Sequence, residues 1–199
     1  MKSLRYLLTA LSLACCLMTV SLQAQPEDKT ATDEKSQPVE LKLGDGVLNL
    51  MVPGDWTKEQ PRTNIVEAEF SLKAVEGDDE NGRLTMMASG GGAEANIERW
   101  KGQFTQPDGA KAEDAAKVEE KTIDDMKVHV VDISGNFMDA PRGPFGPKVE
   151  RKGYRMLAAI VETGKGDYFL KLYGPKKTID ANADQFGEMI KSLKGAKKE

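Results

Sequence analysis

Tyr154-Arg155-Met156-Leu157-Ala158-Ala159-Ile160-Val161-Glu162 and Tyr168-Phe169-Leu170-Lys171-Leu172-Tyr173 are two aliphatic and aromatic runs joined by Thr163-Gly164-Lys165-Gly166-Asp167. Two such runs around a glycine-containing turn predict an antiparallel hairpin. The same pattern recurs upstream. Val118 to Ile123 and Lys127 to Ser134 flank Asp124-Asp125, and Val39 to Leu43 and Val47 to Val52 flank Gly44-Asp45-Gly46. Between them, Ile65 to Lys73 places Val66, Ala68, Phe70 and Leu72 on one face, and Arg83 to Ala88 returns after the polar turn Gly77 to Gly82. Pro53-Gly54-Asp55 stops the second strand, and Trp56 follows as a core anchor. Strands joined by short turns, without strand–helix–strand alternation, define an α+β class with an antiparallel sheet of six to eight strands.

Two segments change period. Ala93, Ile97, Trp100 and Phe104 recur at helical spacing and predict a mid-chain helix over 93–104. Ile179, Ala183, Phe186, Ile190 and Leu193 mark one stripe of a C-terminal helix. Thr178 or Asp180 can cap its start, and Lys191 and Lys194 suit the negative end of its dipole. Gln106 to Ala116 reads as a loop. Pro141 to Pro147 holds three prolines, which remove amide donors and fix φ, so it cannot be regular structure. The folded domain is expected over 39–195, followed by a tail at 196–199.

The N-terminus has another character. Met-Lys-Ser-Leu-Arg-Tyr precedes an apolar stretch from Leu7 to Val20 and then Ser21-Leu22-Gln23-Ala24. A basic opening, an apolar segment and a small residue form a secretory signal peptide over 1–24, with cleavage near Ala24. The competing reading is a retained anchor, for which Leu7 to Leu22 is shorter than the ~20 residues a helical span needs. Cys15 and Cys16 both lie here, and neither has the full set of neighbours of a lipidated cysteine: Cys15 follows Ala14 but has Ser12 at the aliphatic position, and Cys16 has Leu13 there but follows Cys15. The exported chain then has no thiol and no disulfide. Residues 25–38 hold no large apolar side chain and read as a flexible linker. The location expected is secreted or periplasmic.

Of 199 residues, 28 are Lys or Arg and 32 Asp or Glu, a net charge of −4. An acidic domain is repelled by phosphate backbones, so nucleic acid is not an expected partner. The exported chain has no further stretch able to span a membrane.

Candidate chemistry is sparse. At 100° per residue Asn96, Arg99, Trp100 and Gln103 share an arc of about 100° beside Ile97 and Phe104. They would either line a ligand groove or hydrogen-bond a neighbouring loop and hold the helix on the sheet. Gly90-Gly91-Gly92 before that helix lacks the partners of a phosphate loop and reads as a turn. His129, the single histidine, lies on the face of Val131 and Ile133. Asp132 points the other way, and no nucleophile elbow accompanies them. Asp78, Asp79, Glu80 and Asn81 lack the calcium-loop pattern and read as a solvated acidic turn. Arg142, Lys148, Arg151, Lys152 and Arg155 cluster around the proline segment and could receive an acidic partner, with a solvated rim as the alternative. No catalytic residue, metal ligand or cofactor motif stands out.

The run Tyr168 to Thr178, leading into a helix ending Ile190-Lys191-Ser192-Leu193, is similar to the closing strand and helix of PsbP-like domains, relatives in fold of the Ran-binding Mog-type proteins. Asn96-Ile97-Glu98-Arg99-Trp100-Lys101-Gly102-Gln103 resembles an Asn-x-x-Arg-Trp-x-x-Gln signature of secreted bacterial proteins of that build. The resemblance implies helices packed on an antiparallel sheet and a non-enzymatic binding or assembly role, with no catalytic residues and no carried-over partner. The expectation is an exported binding or assembly domain that holds a protein partner or small ligand in the cell envelope. The alternatives are a hydrolase with a carboxylate-based site and a structural component of a cell-envelope assembly.

Overall fold

A computed structural model describes residues 36–106, 116–140 and 146–196. The expected signal peptide, residues 25–35 of the linker, nearly all of the 106–116 loop, Pro141 to Phe145 and residues 197–199 of the tail lie outside the described residues. Among the described residues the order is β1 (Val39–Leu43), a 3-10 turn (Gly44–Gly46), β2 (Leu48–Val52), β3 (Thr57–Glu59), β4 (Ala68–Leu72), β5 (Gly82–Ser89), α1 (Ala93–Lys101), β6 (Phe104–Thr105), β7 (Ala116–Ile123), β8 (Met126–Asp139), β9 (Val149–Thr163), β10 (Gly166–Pro175), α2 (Lys176–Ala181), α3 (Ala183–Lys191) and β11 (Lys194–Gly195). The class is α+β, as expected.

An eight-stranded antiparallel sheet runs β3-β4-β5-β10-β9-β8, with β6 and β7 both paired to β8. The four hairpins fall where the runs place them, except that the first stands apart. β1 and β2 join β11 in a separate three-stranded sheet. β3, β6 and β11 have three, two and two residues, too few for alternation to reveal. Ile65, read as the start of a strand, is exposed and precedes β4.

Both faces of the large sheet are covered at its centre. On one face Phe70, Leu72, Leu84, Met86, Leu170 and Leu172 pack with Leu48 and Leu50 of the small sheet and with Ile179, Phe186 and Ile190 of the terminal helices. On the other, Val131, Ile133, Met156, Ile160 and Phe169 pack with Ile97, Trp100 and Phe104. Central strand β9 is therefore buried continuously from Met156 to Val161, and its sequence has no polar alternate there. Each of these large aliphatic side chains contributes about 1.5–3 kcal/mol by leaving water.

Two departures have local causes. The mid-chain helix ends at Lys101, not Phe104: Gly102 caps it, and Phe104 reaches the same core from β6, 5.2 Å from the Phe137 ring. β6 approaches β8 closely because residue 135 is glycine, where a Cβ would stand 2.6 Å from the Thr105 carbonyl oxygen. The C-terminal stripe forms two helices broken at Asn182, whose backbone sits at φ −105°, ψ 3°. Asn182 Nδ2 donates to the Thr178 carbonyl at 2.8 Å, while its Oδ1 accepts from Trp56 Nε1 at 2.9 Å. A buried indole N–H left without an acceptor costs about 1–3 kcal/mol, and the break supplies one.

Candidate functional site

Of the four residues read as one helical arc, Asn96, Arg99 and Trp100 lie on α1 and Gln103 does not. Asn96 is buried, and its Nδ2 donates to the Gly90 and Gly92 carbonyls at 3.1 and 2.7 Å, so it ties down the glycine turn before α1. Trp100 is buried edge-on against Phe169, centroids 5.4 Å apart. Arg99 is exposed. Gln103 lies beyond the helix end, and its Oε1 accepts from Lys171 Nζ at 2.7 Å. The helical projection fails for Gln103 because the chain leaves the helix two residues earlier.

Gln103 leads to what alternation along single strands conceals. On the face that carries α1, two cross-strand rows are polar. One joins Ser71, Arg83 and Tyr173; the other joins Glu59, Glu69, Thr85 and Lys171. Where the rows continue into β9 they become Met156 and Ala158 in the α1 core. The polar quarter is thus the β3-β4-β5-β10 end of that face.

Glu69 is 2 % exposed. Arg83 grips it with two nitrogens of the guanidinium, Nε to Oε1 at 2.7 Å and Nη2 to Oε2 at 2.9 Å. The Arg62 backbone N–H adds a third donor at 3.2 Å. The Arg83 hydrogen bonds hold the Glu69 carboxyl below the usual carboxylate range, against a smaller upward push from burial. Burial works against the Arg83 charge, yet its hydrogen bond to Glu69 leads the effects that raise its pKa overall. The third arm, Nη1, donates to the Tyr173 hydroxyl at 2.6 Å. Burial, followed by smaller opposing effects from Arg83, pushes the Tyr173 hydroxyl up.

Lys171 places its ammonium 5.1 Å from the Phe137 ring centroid and 5.2 Å from that of Tyr173. Burial, with repulsion from Arg99 behind it, pushes Lys171 down to about 7.

Beside the Glu69–Arg83 pair opens a cleft of about 550 Å³, lined by Glu59, Gln60, Arg62, Glu69, Ser71 and Arg83 and by the turn at 79–82. A second, smaller cleft of about 350 Å³ lies on the opposite face around Asp132, Arg155, Lys176 and Asp180. There Arg155 bridges Asp132 at 2.9 and 2.8 Å and Asp180 at 2.7 Å. Burial opposes the Asp180 charge, but Lys176 and Arg155 together hold its pKa below the ordinary value.

The acidic turn is not merely solvated. Asp78 Oδ2 accepts from the Thr178 backbone N–H at 2.9 Å and from its hydroxyl at 2.7 Å, so Asp78, not Thr178 or Asp180, caps α2. Glu80 accepts from the Tyr154 hydroxyl at 2.5 Å and from Arg151 at 2.7 Å. Of the basic cluster, Arg151 and Arg155 are held by these internal acids, and Arg142 lies outside the described residues. His129 Nε2 lies 2.7 Å from Glu162 Oε1, on the face opposite the Asp132–Arg155 pair, as alternation requires. Among the described residues no group of three His, Cys, Asp or Glu could hold a metal ion. No helix among them is long and apolar enough to cross a membrane.

No family model matches the chain, and no curated protein matches its sequence. Solved structures similar to it include cyanobacterial PsbP (CyanoP) from Synechocystis, at 12 % identity and a TM-score of 0.49, covering 86 % of this chain and 99 % of that one. The Ran-binding protein Mog1p of Saccharomyces cerevisiae is 12 % identical, with a TM-score of 0.41 over 79 % of this chain and 95 % of its own. LpqN, involved in cell envelope biogenesis of Mycobacterium tuberculosis, is 11 % identical, with a TM-score of 0.44 over 81 % and 91 %. PsbP-like and Mog-type structures, which the closing strand and helix resemble, are thus among those similar to the chain.

Proposed function

We propose that the chain is an exported, non-enzymatic binding or assembly domain, and that it holds its partner at the polar quarter of the sheet. The observation that carries this is the Glu69–Arg83 pair at the wall of the 550 Å³ cleft. An acid–base catalyst needs a group poised to exchange a proton near the working pH. Glu69 is held ionised, Arg83 is held cationic, and both are fixed by hydrogen bonds. Such a pair keeps the partly exposed Arg83 guanidinium charged and in one position at the cleft wall, which serves recognition. Lys171, which titrates near neutrality, gives its ammonium to Gln103 and is not among the residues lining the cleft. Export rests on the leader-like residues 1–24.

Affinity capture from envelope extract, read for both proteins and small molecules, tests the proposal. The exported chain is expected to retain one stoichiometric partner, and Glu59→Arg with Asp79→Arg to lose it, since both acids are exposed at the cleft. Equal capture by the variant, or a turnover abolished by changing a cleft residue, would overturn it.

A further inference from the structure

β7 forms one edge of the large sheet, and its sequence is Ala116-Lys117-Val118-Glu119-Glu120-Lys121-Thr122-Ile123. Lys117 to Thr122 are exposed on both faces, including Val118 at 42 %. Among the described residues only β8 pairs with it, leaving one side of its backbone open.

The turn fixes which groups face outward. Asp124 and Asp125 both have positive φ, 50° and 60°, the geometry of a two-residue hairpin whose twist matches its strands. Ile123 and Met126 flank that turn and exchange hydrogen bonds across it. Bonding residues then alternate back along the strand, so 121, 119 and 117 face β8. The N–H and C=O groups of Val118, Glu120 and Thr122 point to the open side.

A long open edge is a template for another strand, and scattered charges usually guard it. Here the charges fit a copy of the same strand. Two copies meeting antiparallel across a two-fold axis hydrogen-bond only where outward residues face each other. With the axis at Glu120, Val118 faces Thr122 and Glu119 faces Lys121, each pairing occurring twice. About six backbone hydrogen bonds close. Moving the axis to Glu119 sets Lys117 against Lys121 and Glu119 against itself; moving it to Lys121 sets that lysine against itself. Opposite charges directly across strands stabilise and like charges destabilise, which disfavours both. An axis at Val118 sets Lys117 against Glu119 twice but overlaps only residues 116–120 of the strand, whereas the Glu120 axis overlaps 117–123 with two opposite pairs against the one like pair at its centre, so the longer Glu120 register is selected. At the axis the two Glu120 side chains meet, each with its own Lys127 Nζ at 3.9 Å and His129 Nδ1 at 3.8 Å from its carboxylate.

We propose that the open edge of β7 pairs antiparallel with β7 of a second copy, centred on Glu120, making one sheet continuous through a two-fold dimer. Sedimentation equilibrium of the exported chain over a concentration series up to the millimolar range tests it, with folding followed by circular dichroism. The wild type is expected to show a concentration-dependent dimer. Lys121→Glu sets like charges opposite one another twice and should abolish it, while Glu119→Lys with Lys121→Glu should restore it. Thr122→Pro removes only an outward donor, so it should abolish the dimer with unchanged thermal unfolding; it keeps the test decisive if Lys121→Glu does not fold. A chain monomeric at every concentration overturns the proposal and leaves the edge to an unlike strand. A dimer indifferent to Thr122→Pro, or a charge swap that stays monomeric, overturns it equally.

Discussion

Arg83→Ala is the substitution whose effect follows most directly from the geometry. It leaves the Glu69 carboxylate, at 2 % exposure, with the Arg62 backbone N–H at 3.2 Å and the Arg62 guanidinium at 3.3 Å. The Arg62 side chain is 70 % exposed, so water screens most of its attraction. Removing one partner of a buried pair costs about 3–5 kcal/mol, and the 25 % exposure of the Arg83 side chain points to the lower end, ~3 kcal/mol. For a domain of this size that is a fall in Tm of about 6–12 °C. Urea unfolding at neutral pH measures it. Glu69→Leu with Arg83→Met, which removes both charges, should recover most of the loss. The pH dependence has a definite sign. Glu69 is depressed in the folded state, so the pair's contribution is complete above the unfolded carboxyl value of ~4.3 and drains away as pH falls through the folded value. The difference between wild type and Arg83→Ala should therefore shrink in acid. A loss below about 1 kcal/mol at pH 7, or a double variant as unstable as the single one, would mean that Arg83 does not hold a buried charge.

Lys171 is depressed to about 7, so between that value and the unfolded ~10.4 the unfolded chain binds the extra proton and stability rises with pH. Lys171→Met should flatten that rise in urea titrations from pH 7 to 10. Asp78→Ala should cost about 1–2 kcal/mol by urea unfolding, because the α2 N-terminus loses its cap. Asn182→Ala should cost a similar amount, about 1–3 kcal/mol, through the orphaned Trp56 indole N–H, and Trp56→Phe on that background should add less than it does alone.

The hairpins were legible because each strand carries its own period and each turn its own glycines or aspartates. Phe104 shows where a local period misleads: it sits at helical spacing from Trp100 yet reaches the shared core from β6. The polar quarter was hidden for a related reason. Glu69 and Lys171 occupy the alternate positions of β4 and β10, which alternation assigns to water. The one available signal lay in another strand. Met156 to Val161 has no polar alternate, which means that both faces of β9 are covered, and Lys171 pairs with Ala158 within that run. The capping role of Asp78 was out of reach, since it acts on a residue a hundred positions later.

The polar end of the sheet is where the protein is proposed to hold its partner. Amide NMR spectra of residues 25–199, recorded with and without the captured partner, test this most directly. Shifts are expected to concentrate on Glu59, Gln60, Arg62, Ser71 and Arg83, with the Glu69–Arg83 side-chain signals kept in both states. Shifts confined to the opposite face, around Asp132 and Asp180, with the polar quarter silent, would contradict it.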